Sequence, residues 1–180
     1  MKNFISINAK HYKKNEIKRI INHNVRLEEP TYLLDREHIK YKNVDIIYQN
    51  KKVNAYDFQD PKDNLKNLNI FLNKEQIAKA LNEQYDLLIN TKEGIQKARK
   101  SYTKKNEATL VEFVVAISHE QTKEYLDNKV DITKGFNKIV DNLQKKYGFT
   151  PLHLSLHLDE GHIDVDTNEV KNNFHAHITM

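Results

Sequence analysis

The chain has no cysteine and no tryptophan, and only four glycines and three prolines in its 180 residues. Without cysteine, disulfides, thiolate zinc sites, iron–sulfur clusters and cysteine nucleophiles are excluded, and any bound metal must be held by histidine, carboxylate or carbonyl oxygen. The scarcity of glycine and proline leaves no linker-like stretch, and neither an internal repeat nor a low-complexity block is found. Residues 1–180 are therefore read as a single domain. Long apolar runs are also missing. The longest is Phe113 to Ile117, far short of the roughly 20 residues of a membrane span, and the N-terminus lacks the apolar core of a signal peptide. No membrane partner is expected, and the expected location is the cytoplasm.

Arginine is scarce as well: 25 Lys and 4 Arg oppose 25 acidic residues, for a formal net charge of +4. The positive charge is mostly a diffuse lysine surface, so each arginine merits individual inspection. The balance is uneven along the chain. Residues 153–180 carry five acids and one lysine, net −4, whereas residues 1–152 carry 28 basic and 20 acidic side chains, net +8.

Charged residues make up 30% of the chain, but clear apolar periodicity argues for a folded domain. Phe4, Ile5 and Ile7 predict a short first strand. Ile17, Ile20 and Ile21 fall at helical spacing, with His23 and Arg26 just after them. Val44 to Tyr48 is a candidate strand, and the polar stretch from Asn50 to Asn69 reads as a loop. Asn73 reads as the cap of a helix carried by Ile77, Ala80, Leu81, Tyr85, Leu88 and Ile89 to about Lys100. Val111, Phe113, Val115 and Ile117 then alternate as in a strand with one apolar face. Ile132, Phe136, Ile139, Val140, Leu143 and Tyr147 recur at helical spacing, stopped by Gly148.

Histidine is plentiful: nine in all, five of them between residues 153 and 177. In Leu152–Leu158 every second residue is leucine, so His153, Ser155 and His157 share the other face of a strand. In Phe174–Met180 the same period puts His175, His177 and Thr179 opposite Phe174, Ala176, Ile178 and Met180. If the two strands form an antiparallel hairpin, pairing His157 with His175 or His177 centres the turn at Asp166 or Thr167, within turn-forming Asp164–Asn168. Neighbouring strands lie about 4.8 Å apart, so His157, His175 and His177 can converge on one cation at metal–nitrogen distances near 2 Å. The plain alternative is three ordinary histidines on a half-exposed sheet. His153 and His162 read as supporting or solvated groups, and a calcium loop is excluded because Glu169 stands where the glycine is needed. A divalent cation on neutral imidazoles would reverse the sign of this acidic end and polarise a phosphoryl oxygen, which points to phosphodiester chemistry on a basic body. By intrinsic affinity three imidazoles favour Zn²⁺ or Ni²⁺ over Mn²⁺.

His157-Leu158-Asp159-Glu160 followed by His175-Ala176-His177 resembles the HxDE…HxH metal motif of plasmid mobilisation relaxases of the MobV (Pre/Mob) family. The His-Ala-His triplet fits the signature of the wider HUH endonuclease superfamily. His23-Asn24-Val25-Arg26 is similar to the family's HNxR motif, and His38-Ile39-Lys40-Tyr41 resembles the segment with its first candidate tyrosine. The resemblance covers essentially the whole chain. It implies an α+β fold, a five-stranded antiparallel sheet flanked by helices, as the N-terminal catalytic domain of a longer relaxase truncated here at its C-terminal end. It also implies metal-dependent, strand-specific nicking of single-stranded or hairpin DNA at an origin of transfer, with Mn²⁺ or Mg²⁺, for conjugative mobilisation.

On this resemblance His23 is the nucleophile, joined to a 5′ phosphate while a 3′-hydroxyl is released. A neutral imidazole with an ordinary pKa near 6.5 is available for this at cellular pH. Arg26, three residues on, would share its side if the helix continued, with a fork suited to a phosphate oxygen. Glu160 would either activate His23 or complete the metal shell. Tyr41 is the main rival nucleophile, as in a rolling-circle replication initiator; Tyr32 and Tyr48 are weaker rivals. A non-cleaving, metal-stabilised origin-binding protein is the reading from another class. Lys97, Arg99, Lys100, Tyr102, Lys104 and Lys105 read either as a solvated helix end or as DNA-backbone contacts with an aromatic platform. The chain departs from the family between Glu160 and His175, where Gly161 to Phe174 supply fourteen residues in place of a few.

Overall fold

The structure, a computed structural model, describes residues 5–28, 30–35, 37–39, 42–48, 73–98 and 108–180, with side chains 91–98 and 126 left aside. The elements are β1 (Ile5–Tyr12), a short 3₁₀ turn, α1 (Ile17–Asn24), β2 (Val44–Ile47), α2 (Lys74–Ala98) and β3 (Leu110–Ile117). They continue with α3 (His119–Asp127), α4 (Ile132–Tyr147), β4 (His153–His157), β5 (Gly161–Ile163), β6 (Val170–Asn172) and β7 (His175–Thr179). Five strands form one antiparallel sheet in the order β1-β3-β7-β4-β2, and β5 and β6 form a separate hairpin. The fold is α+β, a five-stranded antiparallel sheet flanked by helices, as expected. Among the described residues no helix is long and apolar enough to cross a membrane.

The period-two pattern explains the layering. Leu154 and Leu156 of β4, Ala176 and Ile178 of β7, and Val111, Phe113 and Val115 of β3 point to one face and pack under Phe136 and Val140 of α4. On the opposite face Leu110 and Leu152 pack with Ile17, Ile20 and Ile21 of α1 and with Ile77, Leu81, Tyr85 and Ile89 of α2. Covered on both sides, the central strands β4 and β7 are buried along their whole length. Each large apolar side chain so enclosed contributes roughly 1.5–3 kcal/mol of burial free energy. The histidines therefore sit on a covered face, walled by α1.

α4 begins and ends as its sequence predicts: Asp131 Oδ1 accepts the Thr133 N–H at 3.2 Å, and Gly148 adopts a left-handed φ of 71°. β4 and β7 pair with His157 opposite His175, the first of the two expected registers. Elsewhere the elements differ. β1 is longer than the expected Phe4–Ile7 strand and runs to Tyr12, paired along the whole of β3. As an edge strand it tolerates Lys10 and His11, which mask its periodicity. The strand from Val44 stops at Ile47. α3 and the β5–β6 hairpin were not anticipated: α3 is short and polar, and strands of three residues are too short to show a period. The predicted loop at residues 50–69 lies outside the described residues.

Candidate active site

α1 ends on the metal-facing side of the sheet, and how it ends places four consecutive residues. Leu27 N–H bonds to Asn22 O at 2.9 Å and Arg26 N–H to His23 O at 3.1 Å, the paired bonds of a Schellman cap. Arg26 takes the left-handed position of that cap, φ 60°, where glycine is usual. The helix stops at Asn24, so it does not continue through Arg26, and His23, read from the sequence as following the helix, lies inside its last turn. Arg26 reaches the site because the chain reverses there, not because of helical spacing.

Asn24 docks the helix. Its carbonyl, free of an intrahelical partner at a helix end, accepts from Ser155 Oγ at 2.7 Å and from His157 Nε2 at 2.8 Å. Its amide donates to Glu112 Oε1 at 2.9 Å. Val25 is buried in the apolar core. Arg26, 3% exposed, donates through Nη2 to Glu160 Oε1 and, at 3.1 Å, to Asp159 Oδ1; its Nε and Nη1 are buried without a partner among the described residues.

The ligand atoms of His157, His175 and His177 all lie within 4.8 Å of one another, and the three residues are buried. Hydrogen-bond partners fix each ring's proton. His157 donates Nε2–H to Asn24 O at 2.8 Å, His175 donates Nδ1–H to Asn173 O at 2.9 Å, and His177 donates Nδ1–H to Glu112 Oε1 at 2.9 Å. Three lone pairs therefore face inward, on His157 Nδ1, His175 Nε2 and His177 Nε2. The first two are 3.3 Å apart with no proton left between them, and the third is buried without a partner among the described residues. Facing lone pairs repel unless a cation lies between them, and 3.3 Å is roughly the spacing of two nitrogens on one tetrahedral ion at about 2 Å. The donor set fits a divalent metal, with Asn24, Asn173 and Glu112 orienting the rings from behind.

His23 borders the triad edge-on, its ring centroid 5.4 Å from that of His177 and 6.1 Å from that of His157. Burial first, then the Arg26 guanidinium and His157, lower its pKa below the usual imidazole value. Burial likewise lowers His175, and it takes His177 down to about 4 despite the Glu112 carboxylate beside it. Burial alone would raise the Glu160 carboxyl; its neighbours, above all the bonded Arg26 guanidinium, outweigh that and hold it at about 2. The Glu112 carboxyl is also lowered, its bonds from His177, Asn24 and Tyr12 overcoming burial.

The expected residues His23, Arg26, Glu160, His157, His175 and His177 thus lie together. Glu160 Oε1 stands 3.6 Å from both His157 Nδ1 and His175 Nε2, on the triad's side. His153 lies apart, buried and bonded through Nε2 to Asp45 Oδ1 at 2.8 Å, and His162 is exposed on β5. The Tyr48 hydroxyl donates to Asn137 of α4, on the far face of the sheet. Tyr41, Arg99, Lys100, Tyr102, Lys104 and Lys105 lie outside the described residues. Lys97 falls in the last turn of α2, with its side chain not described. Sequence reasoning missed Glu112, at 3% exposure, although a carboxylate inside a strand otherwise apolar is itself a signal, because such groups are buried only when paired. The chain matches no protein-family model, no curated protein and no solved structure.

Proposed function

We propose that the chain is a metal-dependent DNA relaxase of the MobV type, cutting one strand at a plasmid origin of transfer and keeping the 5′ end covalently. The observation that carries this reading is the half-buried neutral imidazole of His23 beside three inward lone pairs suited to a divalent cation. His157, His175 and His177 would hold Mn²⁺ or Mg²⁺ for activity, with Zn²⁺ or Ni²⁺ able to occupy the same donors. Once bound, the cation supplies Lewis acidity toward a non-bridging phosphoryl oxygen.

The chain's own groups do the rest. His23 keeps a free lone pair at cellular pH because its pKa is lowered. Its nitrogen attacks phosphorus, a P–N bond forms, and the P–O3′ bond breaks. The departing oxygen carries away the electron pair and takes a proton from water to become a 3′-hydroxyl, the hydroxide so formed takes the remaining N–H proton of the phosphorylated ring, and the 5′ phosphate stays on a neutral His23. Arg26, with Nη2 held by Asp159 and Glu160, offers the Nε–H and Nη1–H donors that lack a protein partner to the phosphate oxygens. Glu160 fixes that guanidinium beside the triad.

Supercoiled plasmid carrying the cognate origin, incubated with protein and Mn²⁺, should yield nicked circles with protein on the 5′ end. His23→Ala should form no adduct, and the wild-type adduct should be acid-labile, as a phosphoramidate is and a tyrosine phosphodiester is not. An acid-stable adduct, or full yield from His23→Ala, would transfer the nucleophile's role to a tyrosine such as Tyr41. Salt-sensitive origin binding without nicking in any divalent metal would favour the non-cleaving reading.

A further inference from the structure

A cleft of about 500 Å³ opens beside Glu160, walled mostly by parts of the chain outside the triad. Leu33 forms an antiparallel bridge with Glu160, which sets Tyr32, 51% exposed, on one wall. On another wall His119 opens α3, its Nδ1 accepting the Asn172 N–H at 3.0 Å. That bond ties the helix to the hairpin and leaves the ring's proton on Nε2 as a donor. His162 and Lys171 face each other across β5 and β6, and both line the cleft. At the foot of the hairpin a Cβ on Gly161 would stand 2.5 Å from the Lys171 carbonyl oxygen, so glycine is required for this close crossing.

Among the described residues the lining holds no aliphatic side chain. It offers a phenol ring, two imidazoles and the amides of Asn172 and Asn173. Such a set provides π-faces for stacking and donors and acceptors for the edge of an unstacked base. Its volume is within the range of small-ligand sites. Glu120 and Glu160 also line it, and Lys171 is taken by Glu169 at 2.8 Å; a base is therefore accommodated there rather than a phosphate. Because Glu160 Oε1 is also 3.6 Å from His157 Nδ1 and His175 Nε2, a strand with one phosphate at the triad has an adjoining nucleotide within reach of the cleft.

We propose that this cleft is a nucleotide subsite, taking one base of a single DNA strand beside the phosphate at the triad, stacked on Tyr32 and contacted at its edge by His162 and the Asn172 and Asn173 amides. The inference rests on the relaxase reading and accounts for the stretch 161–174, which builds one side of the subsite. Stacking tolerates every base, so the cognate sequence is not needed to test it. The probe is a fluorescein-labelled thymidine homopolymer of about 20 nucleotides, titrated with the Mn²⁺-loaded full chain and followed by anisotropy. Tyr32→Ala should weaken binding about 5- to 150-fold, the fold-range of one base–aromatic stack, and Tyr32→Phe should restore it. Mn²⁺ affinity and melting temperature should not move, since the side chain is half-exposed. Amide NMR shifts on adding the homopolymer to wild type should include Gly161, Asn172 and Asn173. Binding equal in wild type and Tyr32→Ala, or shifts confined to other residues, overturns the subsite and leaves the relaxase reading standing. No binding of the homopolymer by wild type overturns the subsite, whereas the relaxase reading falls only if the origin-bearing plasmid is not nicked.

Discussion

Glu112 collects three hydrogen bonds inside the protein, from His177 Nδ1, Asn24 Nδ2 and Tyr12 OH, each at 2.9 Å. It thereby fixes the tautomer of one metal-facing ring and the docking of α1 at the same time. Glu112→Ala should lower divalent-metal affinity about 10- to 100-fold, measured by competition with a chelating dye. Glu112→Gln keeps an acceptor without the charge and should fall between the two. Equal metal affinity in all three proteins would show that His177 needs no partner. The triad itself was legible in the sequence, because two strands of period two put their histidines on one face without any knowledge of the rest of the fold. Glu112 was not, since it is 65 residues from His177 in sequence and only the placement of β3 beside β7 joins them.

The end of α1 shows how an element can mislead a sequence reading and still be explained. α4 announces its limits with Asp131 and Gly148. α1 has no glycine at its end, so its termination had no local signal, and helical spacing could place Arg26 on the side of His23 only on the condition that the helix continued. The left-handed φ of 60° at Arg26 costs a non-glycine residue roughly 1–2 kcal/mol, offset by the buried pairs with Asp159 and Glu160. Two substitutions separate these effects. Arg26→Ala keeps the strain and strands the buried Glu160 carboxylate, and should destabilise by about 3–5 kcal/mol. Arg26→Gly loses the same pairs but relieves the backbone, and should be more stable than Arg26→Ala by about 1 kcal/mol. Urea denaturation of the two variants measures this difference; Arg26→Ala as stable as Arg26→Gly would mean that the turn carries no strain. The β5–β6 hairpin was equally hidden, its two strands of three residues being defined by pairing and not by pattern.

For the whole molecule, the net +4 divides into a basic body and an acidic end that holds the triad, so folding, metal binding and protonation are linked through the same rings. The unfolded chain takes up protons on its imidazoles below about 6.5, whereas folded His177 resists protonation until about 4, and His175 is lowered in the same direction. Across that window protons favour the unfolded state, so the metal-free protein is most stable above 6.5 and loses this contribution as pH falls toward 4. Metal acts on the same equilibrium with the opposite sign. At a free Mn²⁺ concentration 100 times the dissociation constant, binding adds about 2.7 kcal/mol, about 5–10 °C in a domain of this size, and EDTA should reverse it. The two effects differ in their dependence on pH. An exposed imidazole site would be about three-quarters protonated at pH 6 and would lose most of its metal there. Folded His177 resists protonation until about 4 and His175 is lowered in the same direction, so the Mn²⁺-induced rise in melting temperature should persist from pH 7.5 to pH 6 even as the metal-free melting temperature declines. Melting curves with Mn²⁺ or EDTA at pH 7.5, 6 and 5 test both statements. A metal-induced shift that vanishes by pH 6 would place the protonation of His177 near that of solvent-exposed histidine and contradict its burial.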